Sequence, residues 1–208
     1  MLRVHYGMKQ IAALLLSAAL AACASPSPER GVEAATVVPK AGTWQAVILP
    51  EDRQRLENLD STWQRALEVT AYANADLVAQ EGALLQPGEA RRAVPEIGTY
   101  RCRTIKLGME QLGGIAYDWF RCRVFDDEGQ VWVVKETGSQ RQTGRIFADG
   151  VFLGGTLLGE EQGGIAYGAI TDRNVVAVVE RLGQGHYRLV QPQPYYESAL
   201  DILELKAG

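Results

Sequence analysis

Two rhythms of apolar and polar residues divide the chain. Between residues 50 and 86, Leu56, Leu59, Trp63, Leu67 and Thr70 recur at three- or four-residue intervals, which places them on one face of a helix. Pro50 suits a first helical position, and Glu51 and Asp52 suit the positive end of the helix dipole. "ANAD" (73–76) interrupts the pattern, with Asp76 expected to cap a shorter second helix that runs to Leu85. "QPGEARRAVPEIG" (86–98) reads as a loop. From Gly98 the period falls to two. "DDEG" (126–129), "ADG" (148–150) and "GQG" (183–185) then separate β-branched and aromatic runs, as hairpin connections do. Counting "TYRCRTIKL" (99–107) and "ALDILEL" (199–205), about eight strands fill residues 98–206. Consecutive hairpins of that number curl into a barrel or a strongly bent sheet, because closure removes exposed edges. The expected fold is mainly β (α+β). An N-terminal helical hairpin packs on an antiparallel meander sheet or small barrel, in one globular domain over residues 43–208.

The first residues speak to location. Arg3 and Lys9 accompany an apolar run, "IAALLLSAAL" (11–20), about half the ~20 residues a spanning helix needs. Residues 1–22 therefore read as a signal peptide. Leu20, Ala21 and Ala22 before Cys23 resemble the lipobox of bacterial lipoproteins, which implies cleavage before Cys23 and acylation of its thiol and amino group. Several acyl chains hold a protein far more firmly than one. Ala24 follows, where an Asp would resemble an inner-membrane retention signal, so the expected location is the periplasmic face of the outer membrane. Residues 23–42, rich in Ala, Ser and Pro, read as lipidated Cys and tether. Without residues 1–22 the net charge is −6, against −4 for the whole chain, which argues against nucleic acid as a partner.

With Cys23 on lipid, Cys102 and Cys122 remain in an oxidising compartment and are expected to be bridged. If they pair directly across antiparallel strands, Tyr100 faces Val124 and Thr104 faces Phe120 on the inner side. Arg101 then opposes Arg123 and Arg103 opposes Arg121 on the outer side. Opposed like charges repel, so Glu136 and Glu180, stacking of guanidinium planes, or an external anion are expected to offset them. A recognition patch for an acidic protein segment or an anionic glycan is the functional alternative.

"KETGSQRQTGR" (135–145) reads as too polar for a strand, a loop whose Lys135, Glu136, Ser139, Gln140, Arg141 and Arg145 line the barrel rim. "GGIAY" occurs at 113–117 and again at 163–167, either as two similar strand approaches or as paired Gly-rich loops at one barrel mouth. Beyond the signal peptide, His186 is the only histidine. No zinc spacing, Gly-x-Ser-x-Gly elbow, P-loop or dinucleotide fingerprint occurs, so no catalytic residue, metal or cofactor is expected.

"GTYRCRTIKLG", "ETGSQRQTGRIF", "VVERLGQGHYRLVQPQPYYES" and "LDILEL", in that order behind the lipobox, resemble a proteobacterial lipoprotein family known as domain of unknown function 4893. The resemblance implies an envelope protein and carries no activity. "GTW" (42–44) is also similar to the Gly-x-Trp opening of lipocalins, although there the Trp begins a strand and here Pro50 follows almost at once. The expected function is a non-enzymatic, lipid-anchored module that binds an envelope component through its rim or Arg face. The alternative is a carrier of a small apolar ligand, which needs a cavity that Trp119, Phe120, Trp132 and Phe152 would fill if they all point inward.

Overall fold

The computed structural model describes residues 42–88 and 90–208. The expected signal peptide, lipidated Cys23 and nearly all of the tether lie outside the described residues. Three helices come first: α1 (Pro50–Glu57), α2 (Leu59–Ala73) and α3 (Ala75–Glu81). Ten strands follow: β1 (Arg91–Arg92), β2 (Gly98–Met109), β3 (Gly113–Ala116), β4 (Phe120–Asp127), β5 (Gln130–Lys135), β6 (Gln140–Ile146), β7 (Val151–Leu158), β8 (Asn174–Gly183), β9 (His186–Pro192) and β10 (Leu200–Ala207).

Pairing runs β2–β4–β5–β6–β7–β8–β9–β10 and returns to β2, all antiparallel, so eight strands close an up-and-down barrel. Closure satisfies every edge of those eight strands. β3 and β1 are additions, paired to β2 and β8 respectively.

The helices lie against the outer wall formed by β2, β3, β8, β9 and β10. α2 buries Leu59, Trp63, Ala66 and Thr70, the face expected from the spacing, while Leu56 and Leu67 are only partly buried. The helical region has a further break at Asn58. Asn74, not Asp76, caps α3, because its side chain accepts from the Leu77 N–H at 3.2 Å. Arg188 clamps the end of the helical region to β9. It donates to the Leu84 and Gln86 carbonyls at 2.7 and 2.9 Å, and its guanidinium stacks 4.6 Å from the Trp63 ring. These helices explain why "VVAVV" in β8 shows no alternation: Val175, Ala177 and Val179 face the interior, while Val176 and Val178 lie beneath the outer layer.

Cys102 and Cys122 form a disulfide inside the barrel, with Cα atoms 5.8 Å apart. The register differs from direct pairing by two residues: Tyr100 opposes Cys122, and Cys102 opposes Phe120. A two-residue slip keeps every side chain on its face, so the inward set is unchanged. It leaves one directly opposed arginine pair, Arg101 with Arg121, instead of two. Arg103 lies beyond the start of β4 and opposes Glu204 of β10. The bridge closes a loop of 20 residues, for which the chain-entropy model gives roughly 3 kcal/mol. The Cys102→Ala/Cys122→Ala double variant should lose at least about that much stability, read as a lower denaturant midpoint with a steeper slope, because the uncrosslinked unfolded chain exposes more surface.

One half of the interior is filled. Tyr100, the disulfide, Val124, Phe152, Tyr187 and Leu205 are all buried there. Gly144 and Gly154 oppose each other across β6 and β7 and make room for Phe152. A Cβ on Gly144 would sit 2.5 Å from the Gly154 Cα and 2.6 Å from the Phe152 ring. Trp119 and Trp132 are not in this core. Trp132 neighbours Arg145 on the outward side of β5, and Trp119 stacks with arginines outside the barrel.

Candidate ligand site at the barrel mouth

Period 2 carries the inward face of each strand from the packed half into a polar half. On β2 the inward series is Tyr100, Cys102, Thr104, Lys106, and on β10, from the same end, Leu205, Leu203, Asp201. β5 ends in Lys135, β6 begins with Gln140 and Gln142, and β9 ends with Gln191 before Pro192. These positions meet at one end of the barrel, beneath the connections at 110–119, 136–139, 159–173 and 193–199.

Lys106 is 2% exposed and reaches Asp201 at 3.3 Å and Glu197 at 3.2 Å. Burial pushes the Asp201 carboxyl above its ordinary range, against the pull of Lys106 and of the Ser198 hydroxyl, which donates at 2.5 Å. Gln142 donates to Gln191 at 3.0 Å across the interior. Beside this pair a half-open pocket of about 10 Å³ has room for about one water. A larger cavity of about 110 Å³ adjoins it, lined by Thr104, Lys106, Tyr117, Phe120, Lys135, Ser139, Gln140 and Glu197.

Lys135 is 5% exposed. Its Nζ lies 4.4 Å from the centre of the Phe120 ring, and among the described residues no carboxylate stands within 4.0 Å of it. Burial, reinforced by the Lys106 charge, lowers its pKa to about 8, with Asp201 pulling the other way.

Lys135, Ser139 and Gln140 thus reach the mouth, as expected of rim residues. Only 136–139 of the segment that holds them is a loop, and Lys135 ends β5. From Gln140 it is strand β6, polar because its inward side chains line the polar half. Arg141 turns outward and donates to the carbonyls of Gly138, Gly159 and Glu161, which ties the β5–β6 turn to the next connection. Arg145 stacks 4.3 Å from Phe147.

The arginines around the cysteines lie on the outer wall and are largely satisfied there. Arg103 bonds Glu81 at 2.5 Å and Glu204 at 2.6 Å. Arg101 and Arg103 stack at 4.3 and 4.9 Å on Trp119. Arg123 reaches Glu136 at 3.3 Å. Glu180 instead pairs with Arg188, on the helical side. Arg101 and Arg121 have no carboxylate within 4.0 Å among the described residues. Carboxylates thus offset Arg103 and Arg123, while in the directly opposed pair Arg101 has the Trp119 face and Arg121 has no such partner among the described residues.

The two "GGIAY" copies both fall in connections at the mouth, with different local structures. The first forms β3, where a Cβ on Gly114 would stand 2.7 Å from the Lys106 carbonyl and 2.9 Å from Leu77. In the second, Tyr167 leaves the mouth and donates to Asp52 at 2.6 Å beneath α1.

Lys106, Thr104, Gln142, Gln191 and Asp201 are mouth residues that belong to no sequence motif. The usable signal was the parity from Cys102, which carries Thr104 and then Lys106 inward. Comparison with curated proteins and with solved structures finds no match. The family described as Domain of unknown function (DUF4893) matches residues 44–205, a span that takes in all three helices and the barrel except the end of β10, and the chain belongs to that family.

Proposed function

We propose that the protein is a non-enzymatic binding domain, anchored in the bacterial envelope by lipid on Cys23, that receives a small polar ligand in the mouth of its barrel. The observation that carries this reading is the division of the interior. The apolar half is filled by the disulfide, Phe152 and Tyr187, while the half beneath the long connections is lined by Lys, Gln and Thr around a cavity. Concave sites with a few convergent polar groups are the usual ligand sites of small domains. Within the barrel interior that division favours a polar ligand, whereas the apolar hollow of about 590 Å³ bordered by Trp44, Val94, Val131 and Phe147 lies at the opposite rim. The anchor rests on the lipobox and agrees with a disulfide that needs an oxidising compartment. Outer-membrane placement rests on Ala24 after the Cys.

Two measurements on the protein expressed in a Gram-negative host test this. Metabolic palmitate labelling should mark the wild type and be lost in Cys23→Ser; equal labelling would remove the anchor. Native mass spectrometry should show a polar adduct that is lost when Thr104→Leu and Ser139→Leu fill the cavity with apolar bulk. An adduct retained by that variant, or none that any polar metabolite fraction restores, would remove the mouth as the site.

A further inference from the structure

Resting on the mouth as a ligand site, we infer that its ligand presents a single carboxylate, received by the Lys135 ammonium. Three observations lead there. Lys135 is nine-tenths buried and lines the cavity, yet among the described residues it has no carboxylate partner, only the face of Phe120. Burying a cation is costly unless an acceptor pairs with it, the Phe120 face meets only part of that cost, and the cavity lies beside this one. Second, the other charges facing the space are already committed. Lys106 is held by Asp201 and Glu197, and Arg141 is turned onto backbone carbonyls. The four ionic groups of the mouth, Lys106, Lys135, Asp201 and Glu197, already sum to zero, so among the described residues Lys135 lacks a bonded oxygen acceptor rather than net charge, and a ligand with one negative charge adds the least excess. A dianion such as phosphate would meet the two carboxylates beside Lys106. Third, Glu197 adopts φ +70, the left-handed region that favours glycine, and its carboxylate is placed on Lys106 rather than Lys135.

Size narrows the class further. A cavity of about 150 Å³ holds benzene, so 110 Å³ admits a head of about four or five non-hydrogen atoms. The hydroxyls of Thr104 and Ser139 and the amide of Gln140 line the same space and supply neutral donors for the remaining carboxylate lone pairs. A short carboxylic acid, or the carboxylate end of a longer ligand whose remainder lies outside, fits this description.

The probe is sodium acetate, added to the full-length protein at pH 7 with sodium chloride matching the ionic strength. At a hundredfold excess over its Kd, acetate should raise the melting temperature of the wild type by about 5–10 °C. The Lys206→Met control, altered outside the mouth, should respond alike, and Lys135→Met should not respond. Inorganic phosphate should stabilise the wild type less than acetate does. An equal acetate response in Lys135→Met, a phosphate response exceeding acetate's, or no acetate response overturns the carboxylate assignment. Trace acetylation with acetic anhydride, read by mass spectrometry at Lys135, separates the two levels of inference. If Lys135 reacts and acetate gives no shift, only the carboxylate class falls. If Lys135 is inert while Lys206 reacts, the mouth is closed and the ligand site falls with it.

Discussion

Asp52→Ala should destabilise the fold by about 3–5 kcal/mol, the range for removing one partner of a buried ion pair. Asp52 is 0% exposed and accepts from three groups: the Arg55 guanidinium at 2.7 Å, the Asn174 amide at 2.8 Å and the Tyr167 hydroxyl at 2.6 Å. Arg55 is itself buried, and its second terminal nitrogen already lacks a partner. Removal of the carboxylate leaves an uncompensated guanidinium between α1 and the barrel. It also frees the connection at 159–173, because Tyr167 loses its acceptor and Asn174 one of its bonds. The check is the denaturant midpoint, with Arg55→Met introduced alone and into the Asp52→Ala background. Recovery in the double variant would locate the loss in the stranded charge. Equal and additive losses would show that the pair is not coupled.

Lys135→Met should raise stability at pH 7 by about 3 kcal/mol, a melting temperature higher by roughly 6–12 °C. The folded state lowers the pKa of Lys135 from 10.5 to about 8, chiefly through burial, and each pH unit is worth about 1.4 kcal/mol. Between about pH 8 and pH 10.5 the unfolded chain holds this proton and the folded chain does not, so wild-type stability rises with pH across that window. Below pH 8 both states are protonated and the full penalty stands. The advantage of Lys135→Met should therefore be constant below about pH 8 and shrink toward zero by about pH 10.5. A pH-independent difference between the two melting curves would show that the Lys135 charge is not what destabilises the fold. A side chain that destabilises the resting fold and is aimed into a cavity fits a binding role, since functional groups are commonly held against stability.

The barrel was legible because the physics that builds it is local. The two-residue period of β2, β4 and β10, the Asp-Gly and Gly-x-Gly turns and the helical spacing of Leu59, Trp63 and Thr70 each read correctly from neighbours in the chain. Misreadings came where a distant contact decided the outcome. "KETGSQRQTGR" was too polar for a strand only on the assumption that strand interiors are apolar. In a barrel with a polar end, Gln140 and Gln142 are the inward residues. Trp119 and Trp132 look like core by size, but Trp119 is recruited outside by the guanidiniums of Arg101 and Arg103. Asn74 and Asp76 are equally suitable caps by type, and helix geometry chose Asn74.

The candidate site was half visible. Lys135, Ser139 and Gln140 stood out as a polar cluster, whereas Lys106 and Asp201 were hidden in runs that read as ordinary strand. By itself the sequence determined the helical and β regions, the approximate strand count, the pairing of Cys102 with Cys122 and the inward face that follows from it. Tertiary structure alone decided the strand register, the return of β10 to β2, and the meeting of Lys106, Lys135 and Asp201 at one mouth. Period 2 specifies which face a side chain takes but not how far along its neighbour a strand slides. Only closure of the barrel sets that slide, and with it which inward residues share one end.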